Sequence, residues 1–209
     1  MVPVMRRILS FIFTTNSAIW FEKDLTEELV DYKAKIPVKI DMNSTSRTIE
    51  WLKNLKLSWV VHPKEIAAAL EYNHFWPSVC TNGKIIGCTK VGFGKVYIVD
   101  YNRVIEFPER MAFIYDIFIL KDYRGKDVAK NITIQAIKFL KEHGYTKVGL
   151  HVPPWNKAPI SICEKIGFKK VIYIRYFRIF GVSIKIASLT KGLSIFKGGK
   201  IMREEIPYG

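Results

Sequence analysis

Residues 117–130 read Ile-Phe-Ile-Leu-Lys-Asp-Tyr-Arg-Gly-Lys-Asp-Val-Ala-Lys, an apolar run followed by a basic turn with one glycine and then a helical pattern. The first backbone N–H groups of a helix have no intrahelical partner and carry the positive end of its dipole. A strand that enters a helix through such a turn makes a phosphate-binding geometry. Arg124, Lys126 and Lys130 add formal positive charge there. An ordinary connection with solvated lysines has the same wording, so the segment alone leaves both readings open. Three further residues could move protons. Asp116 interrupts an apolar run, and a carboxylate there needs a partner or a raised pKa, for a structural hydrogen bond or for general base work. Strand alternation places its neighbour Tyr115 on the opposite face. His151 can change charge near neutrality, although a lone strand histidine is more often structural. Cys163 is either a buried small apolar group or a thiol that donates a proton or attacks. Tyr173 and Tyr176 are pocket linings or packing groups.

The elements that must position these residues follow from periodicity. Residues 112–120 form a strand apolar enough to be covered on both faces. Residues 126–143 form a long helix ended by Gly144, 147–152 a strand, 155–166 a helix ended by Gly167, and 168–180 a long strand. A turn at 181–183 leads to a return strand at 184–189. Before them, 17–24 and 38–42 read as strands, and 46–57 as a helix with Ser46 as N-cap. Residues 63–72 read as a helix with Pro63 in its first turn. Residues 76–81 and 84–90 are strands joined by the hairpin signal Asn82-Gly83, followed by a strand at 95–100. Trp51, Trp59, Phe75 and Trp76 fall at core spacing, and Trp155 is either a helix-entry contact or a cover for a ligand. The expected fold is α/β, a mixed sheet with helices on both faces.

The segment around Tyr123-Arg124-Gly125-Lys126 resembles motif A of the GNAT superfamily of acyl-CoA-dependent N-acetyltransferases, R/Q-x-x-G-x-G/A after a central strand. Arg124 fits the first position and Ala129 the last, whereas Asp127 stands where the family has Gly. A second segment, Val152-Pro153-Pro154-Trp155-Asn156 followed by Glu164-Lys165-Ile166-Gly167-Phe168, resembles the family's V-x-x-x-N and Y-E-K-x-G-F, with Cys163 in place of the Tyr. The resemblance covers residues 84–189. It implies a mostly antiparallel sheet with a V-shaped splay between the central strand and the strand at 147–152. It implies acetyl-CoA, or another acyl-CoA, as cosubstrate: main-chain groups of Ile117 and Ile119 on the pantetheine, N–H groups of Arg124, Gly125, Lys126, Asp127, Val128, Ala129 and Lys130 on the pyrophosphate, and Asn156 on the cofactor chain. The implied reaction is direct attack of an amine on the thioester, with Asp116, His151 and Cys163 as catalytic candidates. The acceptor, small molecule or protein, is left open, as are a longer acyl chain and a non-catalytic binding module.

The chain of 209 residues carries a net charge of +14 and 49% hydrophobic residues, which excludes a disordered chain and predicts an anionic partner. From Lys169 onward nine basic residues face only Glu204 and Glu205. That surface is either solvated or drawn to a polyanion, nucleic acid or an anionic membrane, although no nucleic-acid module signature is present. Three cysteines without a C-x-x-C pair predict neither a disulfide framework nor a zinc site, and fit a reducing cytoplasm. Arg6-Arg7 and the short apolar run at 8–13 read as a basic amphipathic lead into the first strand, not as a secretory signal. The expected organisation is one domain over 1–190, its first 80 residues on the acceptor side, with a basic tail at 191–209. A homodimer is compatible with this reading.

Overall fold

The computed structural model describes residues 13–57, 60–101, 103–179, 182–189, 196–197 and 200–201. The basic lead before residue 13, Trp59, the turn residues 180–181 and most of the 191–209 tail lie outside them. The chain divides into two compact units, Lys23–Leu150 and Met1–Glu22 with His151–Gly209. Strands β1 (Phe13–Asp24) and β8 (Lys147–Val152) run across the division.

In the unit 23–150, β2 (Lys39–Asp41), β3 (Ser78–Thr81), β4 (Lys84–Phe93) and β7 (Met111–Ile119) join β8 in the order β8-β7-β4-β3-β2. All neighbours are antiparallel except β7 and β8. Asn82 and Gly83 both take left-handed conformations, φ 47° and 75°, as the β3–β4 hairpin requires. Helices α1 (Thr45–Asn54) and α2 (Pro63–Glu71) pack on one face, where Ile49, Leu52, Val60 and Ala69 meet Trp76, Cys88 and Phe118. Helix α3 (Val128–Glu142) packs on the other through Val128 and Ile132 against Val79, Ile86 and Ile119. A second hairpin, β5 (Lys95–Ile98) with β6 (Arg103–Glu106), includes a strand that periodicity did not mark.

Local chemistry explains the helix starts. Helix α1 is entered from Ser44, not Ser46, and the Ser44 hydroxyl ties back to the Asp41 carbonyl at 2.8 Å instead of capping the helix. Helix α2 has Pro63 in its first turn and a capping box, in which His62 Nδ1 accepts from Lys64 N–H and Glu65 accepts from His62 N–H. Residues 25–38 have no regular structure and are tied along α3: Lys141 Nζ donates to Glu27 O, Lys138 pairs with Asp31, and Asn131 Nδ2 donates to Tyr32 O.

In the other unit, β9 (Lys169–Ile179) lies between β1 and β10 (Val182–Leu189), antiparallel to both. It also holds α4 (Lys157–Lys165) and the short pair β11 (Phe196–Lys197) and β12 (Lys200–Ile201). Among the described residues no helix is long and apolar enough to cross a membrane.

Candidate active site

Two irregularities in β7 create the site. Its parallel pairing with β8 runs only from Met111↔Lys147 to Ile114↔Leu150, while β7 itself continues to Ile119. The β7–β8 pairing therefore ends at the middle of β7. At the same point the register with β4 slips: Lys90 stands opposite Asp116 and Val91 opposite Ile114, leaving Tyr115 as an inserted residue. Such a bulge bends its strand and re-aims side chains.

The first consequence concerns backbone. Leu120 N–H donates to Ile86 O on β4. Amides alternate along a strand, so those of Ile117 and Ile119 face the opened edge. The close approach of β4 needs Gly87, since a Cβ there would stand 2.6 Å from Phe118 O and 2.4 Å from the Ile119 side chain. Beyond β7 a 3₁₀ turn, Lys121–Tyr123, leads to Gly125 at φ +73° and Asp127 at φ 59°. The first α3 bond is Asn131 N–H to Asp127 O, so the N–H groups of Val128, Ala129 and Lys130 precede the helical ladder.

The charges there are partly committed. Arg124 Nε donates to Ile119 O at 2.9 Å, so in this state the guanidinium braces the turn. Asp127 does not cap α3; its carboxylate pairs with Lys130 at 2.7 Å and with Lys35 at 3.6 Å. The Lys130 hydrogen bond holds the Asp127 carboxyl below its ordinary range. Lys35, from the 25–38 segment, also donates its N–H to Lys126 O. Open amides, helix-start N–H groups and a surplus of cations fit a pantetheine arm with its pyrophosphate, and Asp127 arrives already neutralised. Lys35 was missed in the sequence because it lies far from the motif in a segment without periodicity.

The second consequence concerns side chains. Alternation put Tyr115 and Asp116 on opposite faces; the bulge overturns this and turns both toward α1 and α2. The Tyr115 hydroxyl receives the Trp76 indole N–H, and Asp116 reaches Lys90, whose ammonium lies 5.1 Å from the Trp76 ring centroid. Lys90 is 1% exposed and its ammonium donates to three acceptors: Val60 O, Glu65 Oε2 at 3.1 Å and Asp116 Oδ2 at 3.1 Å. Burial pulls Lys90 toward neutrality, but the two carboxylates outweigh it and hold the ammonium protonated. Burial raises Glu65 against the pull of Lys90. Asp116 keeps 37% of its side chain exposed. Asp116 stands out in the sequence, whereas its partners Lys90 and Glu65 do not. The signal for Lys90 was a lone ammonium in an apolar strand; Glu65 was hidden by its capping position.

The remaining predicted residues belong to the other unit. His151 is half-buried near the end of β8. Asn156 is the N-cap of α4 without a side-chain cap bond. Trp155 beside it is 74% exposed. Cys163 is 4% exposed, and burial pushes its thiol up to about 12. Cys80, Cys88 and Cys163 are free thiols. Arg175 lies 5.5 Å over the Tyr173 ring; the side chains of Tyr176 and Arg178 lie outside the described residues.

The profile of the acetyltransferase (GNAT) family matches residues 44–168, more than half of the chain. The chain belongs to the GNAT family. Members of this family use acyl-CoA, and the observed mixed, mostly antiparallel sheet is the family's fold. An N-alpha-acetyltransferase MAK3 of Arabidopsis thaliana is 23% identical over 124 residues, 57% of this chain and 60% of that protein. The uncharacterized N-acetyltransferase YycN of Bacillus subtilis is 34% identical over 65 residues, 31% of this chain and 42% of that protein. The chain thus spans less than two thirds of either relative. The crystal structure of a GCN5-related N-acetyltransferase from Sphaerobacter thermophilus superposes with a TM-score of 0.54 at 12% identity, over 87% of this chain and 57% of that one.

Proposed function

We propose that this GNAT chain transfers an acetyl or other short acyl group from acyl-CoA to an amine. The observation that carries the reading is the stretch of β7 beyond Ile114 that β8 does not pair, which ends at Ile119 against Val128 and Ile132 of α3. It opens the Ile117 and Ile119 amides as a strand-like edge for a pantetheine arm. The N–H groups of Val128, Ala129 and Lys130, with Lys126, Lys130 and Lys35, hold the pyrophosphate. The bound thioester supplies an activated acyl carbon and a thiol leaving group.

Asp116 is the general base in this reading. Lys90 fixes Oδ2, and Oδ1 takes a proton from the incoming ammonium, leaving a nitrogen lone pair to form the new C–N bond. The nitrogen, cationic once the C–N bond has formed, sheds its second proton; the C–S bond breaks and the leaving sulfur takes that proton up as a thiol. The Cys163 thiol, pushed up to about 12, keeps its own proton and forms no covalent link to the acyl group. The N-alpha-acetyltransferase relative supports an amine as acceptor.

Thiol release from acetyl-CoA, followed colorimetrically over peptide α-amines, lysine ε-amines and small polyamines, tests this reading. Turnover with at least one class is expected, falling about 10²–10³-fold in Asp116→Asn with acetyl-CoA affinity within twofold of the parent. Acetyl-CoA bound without turnover on any amine contradicts the proposed reaction. Full activity in Asp116→Asn removes the base from Asp116.

A further inference from the structure

Behind Asp116 lies a charge arrangement of which the acyl-transfer reading uses only the Lys90 contact. Lys90 from β4 is enclosed and holds two carboxylates, Glu65 from α2 and Asp116 from β7, each at 3.1 Å. Its three hydrogens are matched by the two carboxylates and Val60 O, so its position is fixed. The two acids sit in unlike surroundings. Glu65 is 8% exposed and Asp116 37%, so one carboxylate is sealed inside and the other opens outward on the same ammonium.

We infer that Lys90 and Glu65 form a counterbalanced pair that positions Asp116 and sets its basicity. The inference rests on the assignment of Asp116 as the base. A lone ammonium against Asp116 would fix its orientation but weaken it as a base, because an opposite charge favours the ionised form. Glu65 draws on the same ammonium and offsets that loss. With both acids ionised the cluster carries one net negative charge. Proton uptake by Asp116 brings it to neutrality, the state a buried site favours. Among the described residues, the other titratable groups facing Asp116 are Cys88 on β4 and its neighbour Tyr115. Burial pushes both far up, so they stay protonated and uncharged and do not compete for this role.

Glu65 and Lys90 are positioning residues here, and a merely structural role would move stability alone. The separating readout is the titration of Asp116 followed by ¹³C-carboxyl NMR in the full chain, assigned with Asp116→Asn. Alongside it runs the pH profile of kcat/KM with acetyl-CoA and the amine that turns over fastest in the panel above. Glu65→Gln keeps the volume and the hydrogen-bonding oxygen; it is expected to move the Asp116 titration and the acidic limb about one pH unit down. Lys90→Met is expected to move both at least one unit up, and Lys90→Arg to return them toward the parent. Circular dichroism verifies folding, and Glu65→Gln decides the matter if Lys90→Met does not fold. Opposite shifts in the two variants support the inference. No shift, or shifts of one sign, in folded protein overturns it. If the NMR shifts occur in a chain that turns over no amine, the counterbalance stands and the acyl-transfer reading falls.

Discussion

With Oδ2 held by Lys90 and over a third of its side chain open, Asp116 can accept a proton through its second oxygen without reorienting. Its neighbour Tyr115 shows why alternation fails as a guide: one inserted residue puts two neighbours on the same face, and nothing in Ile-Tyr-Asp-Ile announces a bulge. Asp116 itself was legible, because a carboxylate in an apolar strand calls for an explanation; the cation that answers it comes from another strand. Cys163 was legible only as a departure from the family wording. With its thiol pushed up to about 12 by burial, Cys163 stays protonated at pH 8. Iodoacetamide in native buffer at pH 8, read by peptide mass spectrometry, is therefore expected to leave Cys163 unmodified and to label it after unfolding in urea. Rapid native labelling would show an accessible, activated thiol and return Cys163 to the list of catalytic groups.

The elements that carry the site were largely readable, since strand, basic turn and helix each have a local cause. Helix α3 ends at the Gly144 signal, and the Asn82-Gly83 hairpin forms where the dipeptide requires it. What could not be read was pairing. The place where β7 leaves β8 and the role of Lys35 in the 25–38 segment depend on residues distant in sequence. Two predictions concern these elements. Gly87→Ala forces a Cβ into the Phe118 carbonyl and the Ile119 side chain. A loss of about 1–3 kcal/mol is expected, lowering Tm by about 3–10 °C; an unchanged Tm would mean that β4 and β7 do not approach so closely. Asp127 holds a left-handed conformation and occupies Lys130 and Lys35. Asp127→Gly keeps that conformation and frees both lysines, so coenzyme A is expected to bind several-fold more tightly by calorimetry. Weaker binding would show that the carboxylate organises the lysines for the ligand.

For the molecule as a whole, a net charge of +14 gives any polyanion a long-range attraction that salt weakens. Composition predicted an anionic partner but could not choose among nucleic acid, membrane and cofactor; family membership and the opened strand edge favour a polyphosphate cofactor. Calorimetric titration of acetyl-CoA into the folded chain at about 50 and 300 mM salt separates these. One saturable site with micromolar Kd is expected, weakened several-fold but not abolished at the higher salt, because backbone amides share the binding with the lysines. Absence of heat up to millimolar acetyl-CoA at both salts would contradict it.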